Sequence, residues 1–325
     1  MGEHINQALD METLDHEMLR TAAREALSEE GHTKAAFART AGFAVSTFSA
    51  WLAGKYTGDN DHVTRKVKTY LSTREQQKKT LTSLPRRTDF VMTKSAQSYH
   101  RLFEQAQFAP DMVTLVGQPG VGKTEAAREY QRRNSNVFLV TGSPMLRSPW
   151  ALMQALCSVM GIRERAAMRR PTSISSLLRG RAALIIVDEA QHVSMHALDQ
   201  LRALHDDPEV ACGLALVGHP DLKSRMSGGG RDGAFTQLDS RFGMHLNRRT
   251  PLAADVDALL DAEQIDGEAE RKLLRTVAAG AGGLRRMNRT LRIARMIALG
   301  QGVDAVTAEH VQMAFEQLNP DGVQL

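Results

Sequence analysis

The stretch GQPGVGKT, residues 117–124, decides how this chain is read. It follows an apolar run, MVTLV (112–116), and leads into a run of helix formers, EAAREYQRR (125–133). A glycine-rich turn between a strand and a helix offers converging backbone N–H groups at the positive end of a helix dipole, and both attract phosphate. The spacing G-x-x-x-x-G-K-[ST] is met in full. The backbone N–H groups of Gly120 to Lys123 are expected to cradle phosphates, with Lys123 reaching the β- and γ-phosphates and Thr124 ligating Mg²⁺. The expected ATP contacts are Gly117, Gln118, Pro119, Gly120, Val121, Gly122, Lys123, Thr124 and Glu125.

Around this loop, short apolar runs alternate with helical stretches: NVFLV (136–140), AALIIV (182–187) and GLALVG (213–218). Runs apolar on both faces suit a parallel sheet covered by helices. LIIVDEAQH (184–192) puts Asp188 and Glu189 just past a buried strand, Asp188 to hold the metal's water shell and Glu189 to polarise an attacking water. GLALVG ends in His219, either a polar group at the γ-phosphate or a surface histidine. Arg241 precedes the last short strand, either as a finger reaching a neighbouring subunit's nucleotide or as a surface ion pair. After Pro251 the strands stop, and helices are expected near 252–263, 267–279, 284–299 and 307–318. Arg285, with Arg286 as its rival, stands where a lid would sense the γ-phosphate.

The first ninety residues differ. Residues 1–30 carry two basic and eight acidic side chains, and residues 31–88 carry eleven basic and three acidic ones. A helix is expected over 11–29, with Leu14, Met18, Ala22 and Leu27 on its apolar face. In KAAFARTAGFAVSTFSAWLAG (34–54), Ala38, Gly42 and Phe48 have the spacing of a helix-turn-helix: a small residue at the crossing, glycine in the turn, an apolar plug. A basic helix over 61–79 follows, then a linker, TSLPRRTDF (82–90), broken at Pro85. The expected domains are 1–80, a linker at 81–93, an α/β domain over 94–250 and a helical lid over 251–325.

The exposed positions of the second motif helix are Ala44, Val45, Ser46, Thr47, Ser49 and Ala50, none able to read a base edge bidentately. Lys34, Arg39, Lys55, Arg65, Lys66 and Lys68 flank them, which suits phosphates more than sequence. Double-stranded DNA contacts are expected at Lys34, Arg39, Ser46, Thr47, Lys55, Arg65 and Lys66. A second basic stretch, RERAAMRRPTSISSLLRGR (163–181), adds Arg169, Arg170, Arg179 and Arg181. The lid helix holds five arginines, either a surface for DNA or a protein partner or a solvated face, and SGGGRDG (227–233) reads as a mobile connection or a contact to DNA or a neighbour.

The whole chain has 325 residues, 42% hydrophobic, with a net charge of +4, so it is long enough for several cores. Cys157 and Cys212 lie far apart in apolar stretches and read as buried thiols in a reducing compartment. No apolar run approaches a membrane span and no leader is evident, so a cytoplasmic protein is expected.

The order of these parts resembles an AAA+ ATPase over roughly 90–320. SAWLAGKYTGDN, VGQPGVGKTEAAREYQRRNSNVF, IIVDEAQH and LRRMNRTLRIA together resemble the B proteins of Mu-like transposing bacteriophages, nearly end to end. The resemblance implies ATP-bound subunits that form a helical homo-oligomeric filament on DNA with little regard for sequence. It also implies delivery of target DNA to the phage transposase, which in turn stimulates hydrolysis and clears the filament, producing target immunity. The strand tip GHP departs from the expected GN, which puts the hydrolysis rate in question. Two other readings stand beside it: an ATP-regulated, sequence-specific regulator, and an ATPase of a secretion or assembly machine.

Overall fold

The structure, a computed structural model, describes residues 15–28, 33–83, 89–222 and 241–319. Leu14, the break at Pro85 and the SGGGRDG stretch lie outside the described residues. The chain divides into two compact units, Met1–Arg86 and Arg87–Leu325.

The described residues of the first unit form helices and no strand: α1 (His16–Ser28), α2 (Lys34–Ala41), α3 (Val45–Leu52) and α4 (Asn60–Ser83). Thr33 caps α2 by accepting from the Ala36 N–H. Gly42, at φ 77°, ends it in the left-handed conformation, and its N–H returns to Ala38 and Arg39. That turn aims α3 back across α2, where Ala38 and Phe48 are both fully buried. Phe37 and Phe48 stack with ring centroids 4.5 Å apart. Trp51 is also fully buried, and its indole N–H donates to the buried Thr64 hydroxyl at 2.9 Å. The apolar face of α1 is Leu19, Ala22, Ala23 and Ala26, rotated from the expected one, so Met18 and Leu27 are only partly buried. Beside that face Arg20 and Arg24 donate to the Trp51 and Leu52 carbonyls at the end of α3, at 2.7 and 2.8 Å.

The second unit is a three-layer α/β sandwich followed by a helical bundle. Helix α5 (Lys94–Phe108) leads into β1 (Met112–Gly117), α6 (Lys123–Arg133), β2 (Val137–Thr141), α7 (Pro149–Val159), α8 (Arg170–Leu178), β3 (Leu184–Asp188), α9 (Met195–Asp206), β4 (Gly213–Gly218) and β5 (Phe242–Arg248). The five strands are parallel, in the order β2-β3-β4-β1-β5. Alternate residues of β1 feed opposite layers. Val113 and Leu115 pack with α5 and α6, whereas Met112 and Val116 pack with α7, α8 and α9. Strands β1, β3 and β4 are buried throughout, as their unbroken apolar runs require. The crevice at the carboxyl ends of the strands is where such sheets receive ligands.

Four helices close the unit: α10 (Ala253–Ala262), α11 (Glu268–Ala279), α12 (Gly283–Gly300) and α13 (Ala308–Leu318), around a core of their own. Asp255, fully buried, fastens them to the sheet layers. Its carboxylate accepts from the Ser95 N–H at 3.0 Å and from the Leu252 N–H at 3.3 Å, tying the start of α10 to the start of α5. Cys157 and Cys212 are buried and free, as expected, and burial pushes the Cys212 thiol up to about 12, leaving it unreactive. Among the described residues no helix is long and apolar enough to cross a membrane.

Candidate nucleotide site

The phosphate loop runs from Gly117, at the end of β1, to Lys123, at the start of α6. Its geometry depends on glycine at two points. Gly117 lies so close to β5 that a β-carbon would stand 2.3 Å from the Arg248 carbonyl oxygen. Gly120, at φ 89°, leaves no room either, since a β-carbon there would fall 1.9 Å from the Gly282 carbonyl oxygen. The loop is thereby in main-chain contact with the lid, and the Leu284 N–H donates to the Gly120 carbonyl at 2.9 Å.

Lys123 folds over this loop and donates to the Gly117 carbonyl at 2.7 Å and the Gln118 carbonyl at 3.1 Å. Burial holds its ammonium below the usual lysine range; Glu189 and Asp188 pull it back up, and Arg285 pushes it down. Those four side chains therefore share one electrostatic neighbourhood. Asp188 is 1% exposed, and burial raises its carboxyl above the usual range while a hydrogen bond from Thr124 opposes the shift. Its Oδ1 is buried with no partner, a costly arrangement of about 1–3 kcal/mol unless a ligand answers it.

That orphaned oxygen, beside the Thr124 hydroxyl, fits a hard cation. Among the described residues no group of three or more His, Cys, Asp or Glu could hold an ion unaided. Magnesium suits such a sparse set, because it takes one or two protein oxygens and fills its octahedron with water and phosphate. Thr124 and Asp188 are the residues that would hold it.

Glu189 follows in the left-handed conformation, φ 51° and ψ 38°, which a residue with a side chain seldom adopts. Gln191, which the sequence reading passed over, bonds the Glu189 carboxylate through its amino group, and its carbonyl oxygen accepts from the His219 N–H at 3.0 Å. The His219 ring turns to Asp221, with Nδ1 3.0 Å from the carboxylate. Of the two lid arginines, Arg286 is engaged inside the bundle, bonded to Asn319 and lying over the Phe315 ring at 4.8 Å. Arg285 is exposed and is the one that acts on Lys123.

Arg241 lies elsewhere. Strand β5 runs parallel to β1, with Phe242 opposite Met112 and Arg248 opposite Gly117. Arg241 thus stands at the opposite end of the strands from its own phosphate loop. It is exposed, and its guanidinium is 3.8 Å from the Asp206 carboxylate.

Residues 106–226 match the AAA domain family, and residues 240–318 match the family described as Mu B transposition protein, C terminal. The chain is 33% identical over 305 residues to the ATP-dependent target DNA activator B of Escherichia phage Mu, covering 93% of this chain and 96% of that one. This chain belongs to the Mu B family. A Mu-like prophage DNA transposition protein B from Haemophilus influenzae is 31% identical, with 82% of this chain and 93% of that one covered. Among solved structures, the Aeropyrum pernix ORC1 protein in complex with DNA superposes with a TM-score of 0.55 at 19% identity, covering 74% of this chain and 69% of that one. That likeness shows the AAA+ fold.

In this Mu B family member the basic residues expected at DNA divide into two groups. Lys34, Arg39, Lys55 and Arg65 are exposed, as is Ser46, with Thr47 half-buried. Arg65 borders an open groove of about 530 Å³ between the end of α2 and α4. Lys66 is half-buried instead and donates to the Gly42 carbonyl at 3.0 Å, so it fastens the turn between α2 and α3. In the second basic stretch Arg169 and Arg181 are exposed, and Arg179 is paired with Glu209. Arg170 is half-buried, with Nε hidden from solvent and without a partner, and lies close enough to Cys157 to act on its thiol. Lys66 and Arg170 are thus less freely presented than the other expected DNA contacts, Lys66 through its bond to Gly42 and Arg170 through its hidden Nε.

Proposed function

We propose that this protein is an ATP-dependent target-DNA activator. It binds ATP with Mg²⁺ at the phosphate loop and assembles as a helical filament on double-stranded DNA. It then presents that DNA to the phage transposase, and hydrolysis times its release and so produces target immunity. The reading rests on the end-to-end similarity to target DNA activator B, on a chain whose Lys123, Asp188, Glu189 and Arg285 share one neighbourhood.

In this mechanism the loop N–H groups and Lys123 hold the phosphates, and Arg285 adds positive charge from the lid. Magnesium, when bound, neutralises charge on the phosphate oxygens. The Glu189 carboxylate orients a water for in-line attack on the γ-phosphorus and accepts its proton as the bond to ADP breaks. Arg241 serves a neighbour's nucleotide and not its own, a reading supported by its position at the end of the strands opposite to its own phosphate loop. The first unit contributes phosphate contacts from Lys34, Arg39, Lys55 and Arg65. The surface of α3 offers Val45, Ser46 and Thr47, which carry no bidentate base reader.

The test is binding to several unrelated duplexes over a salt series, with and without ATP, for wild type and Lys123→Ala. Each phosphate contact adds about −0.9 to the slope of log affinity against log salt. Expected are ATP-dependent binding of similar strength to all duplexes, its loss in Lys123→Ala, and a slope flattened by up to about one in Arg65→Ala. Binding confined to one sequence, or indifferent to ATP, would overturn the proposal.

A further inference from the structure

We infer that Gln191 is the positioning residue for Glu189, fixing the direction of its carboxylate and tying it to the tip of β4. The inference rests on the reading of Glu189 as the group that polarises water.

The argument starts from the backbone. Glu189 leaves β3 in the left-handed region, so its side chain departs in a direction that the strand does not set. The carboxylate needs a second anchor if it is to face one way, and Gln191 supplies it from the short 3-10 turn Ala190–His192. The amide's orientation is itself determined. The His219 main-chain N–H points at one of its two heavy atoms at 3.0 Å, and a donor must meet an acceptor, so that atom is the oxygen. The amino group is then left to the Glu189 carboxylate. The strand tip is shaped for this contact, since a β-carbon on Gly218 would stand 2.4 Å from the Gln191 amide oxygen. Glycine at the end of β4 keeps the space open. One planar amide thus joins the base to the neighbouring strand, and a displacement of the His219 main chain is passed to the carboxylate through two hydrogen bonds.

The test uses the full chain with DNA and measures kcat and KM for ATP hydrolysis together with binding of a slowly hydrolysed ATP analogue. The variants are Gln191→Met, Gln191→Glu, Glu189→Gln and the double variant Gln191→Met with Glu189→Gln. Methionine keeps the length and loses both hydrogen bonds. Glutamate keeps the acceptor for His219 and loses the donor to Glu189. Gln191→Met should lower kcat about ten-fold or more, as expected for losing a hydrogen bond to a charged group. KM and analogue binding should stay within about two-fold. Gln191→Glu should lose at least as much, and the double variant should turn over no more slowly than Glu189→Gln alone. Wild-type kcat in Gln191→Met would overturn the inference, as would wild-type kcat in Gln191→Glu or multiplied losses in the double variant. Unimpaired turnover in Glu189→Gln would instead remove the base assignment and this inference with it, a result distinct from the others.

Discussion

Gly120→Ala is a perturbation whose size follows from the coordinates. The new β-carbon would lie 1.9 Å from the Gly282 carbonyl oxygen and 2.6 Å from its carbon. Both partners are main chain, so no rotamer change relieves the overlap, and the start of α12 has to move. Three costs add: a left-handed alanine at about 1–2 kcal/mol, the Leu284–Gly120 hydrogen bond at about 0.5–1.5 kcal/mol net, and the displacement of the lid. Their sum is about 2–4 kcal/mol. Gly122→Ala is the control, because it has nearly the same φ, 88°, with nothing within 4 Å of its β-carbon. It carries the backbone term alone, about 1–2 kcal/mol. The assay is urea denaturation by circular dichroism, joined to hydrogen exchange of peptides spanning 283–300. Gly120→Ala should be the less stable variant by about 1–2 kcal/mol, and its α12 amides should exchange faster than those of Gly122→Ala. Equal stability and equal exchange in the two variants would refute the close junction between loop and lid.

Arg285→Ala should slow ATP turnover with little change in thermal stability, whereas Arg286→Ala, which loses Asn319 and the Phe315 ring, should lower the melting temperature; reversed effects would exchange their roles. Arg241→Ala should cut hydrolysis while sparing ATP binding, and mixing it with Lys123→Ala chains should restore activity; co-assembled mixtures that stay inactive would make Arg241 a plain ion pair with Asp206. Glu129, only 7% exposed, is held down to about 2 by Arg132 and Arg133 despite its burial. A depressed carboxyl stabilises the fold fully above the usual value of 4.5 and loses that contribution as pH falls towards 2. Glu129→Gln should therefore melt lower than wild type at pH 7 and converge with it near pH 2, and parallel curves would refute the coupling.

The strands were legible because each core strand is apolar on both faces, a pattern with few other outcomes. The phosphate loop was legible because its spacing repeats the geometry of its ligand. The face of helix α1 was legible only in part: Ala22 is buried, but Met18 and Leu27 lie at the margin of a face centred on Leu19, Ala22, Ala23 and Ala26, where small alanines carry little apolar signal. The presentation of Lys66 and Arg170 was not legible either: a basic residue in a basic stretch carries no sign of which ammonium or guanidinium also meets the fold. The rivalry between Arg285 and Arg286 rested on a single helical step of about 100°, and the engagement of Arg286 by α13 favours Arg285. Gln191 was hidden because its partners are a carboxylate two residues back and a main-chain N–H on another strand. The signal that could have found it was the glycine at 218, placed where a strand has no conformational need of one.

The chain's two tryptophans fall one to each unit, in opposite surroundings. Trp51 has no exposed surface and Trp150, in the first turn of α7, is 45% exposed. Intrinsic fluorescence should accordingly contain a blue component from the first unit and a red one from the second. Opening of the first unit would redden only Trp51, and a quencher dissolved in the buffer would reach only Trp150. Trp150→Phe leaves a single tryptophan, inside the unit proposed to touch DNA. Its anisotropy and wavelength could then be followed on the intact chain, without any dye, as ATP and duplex are added.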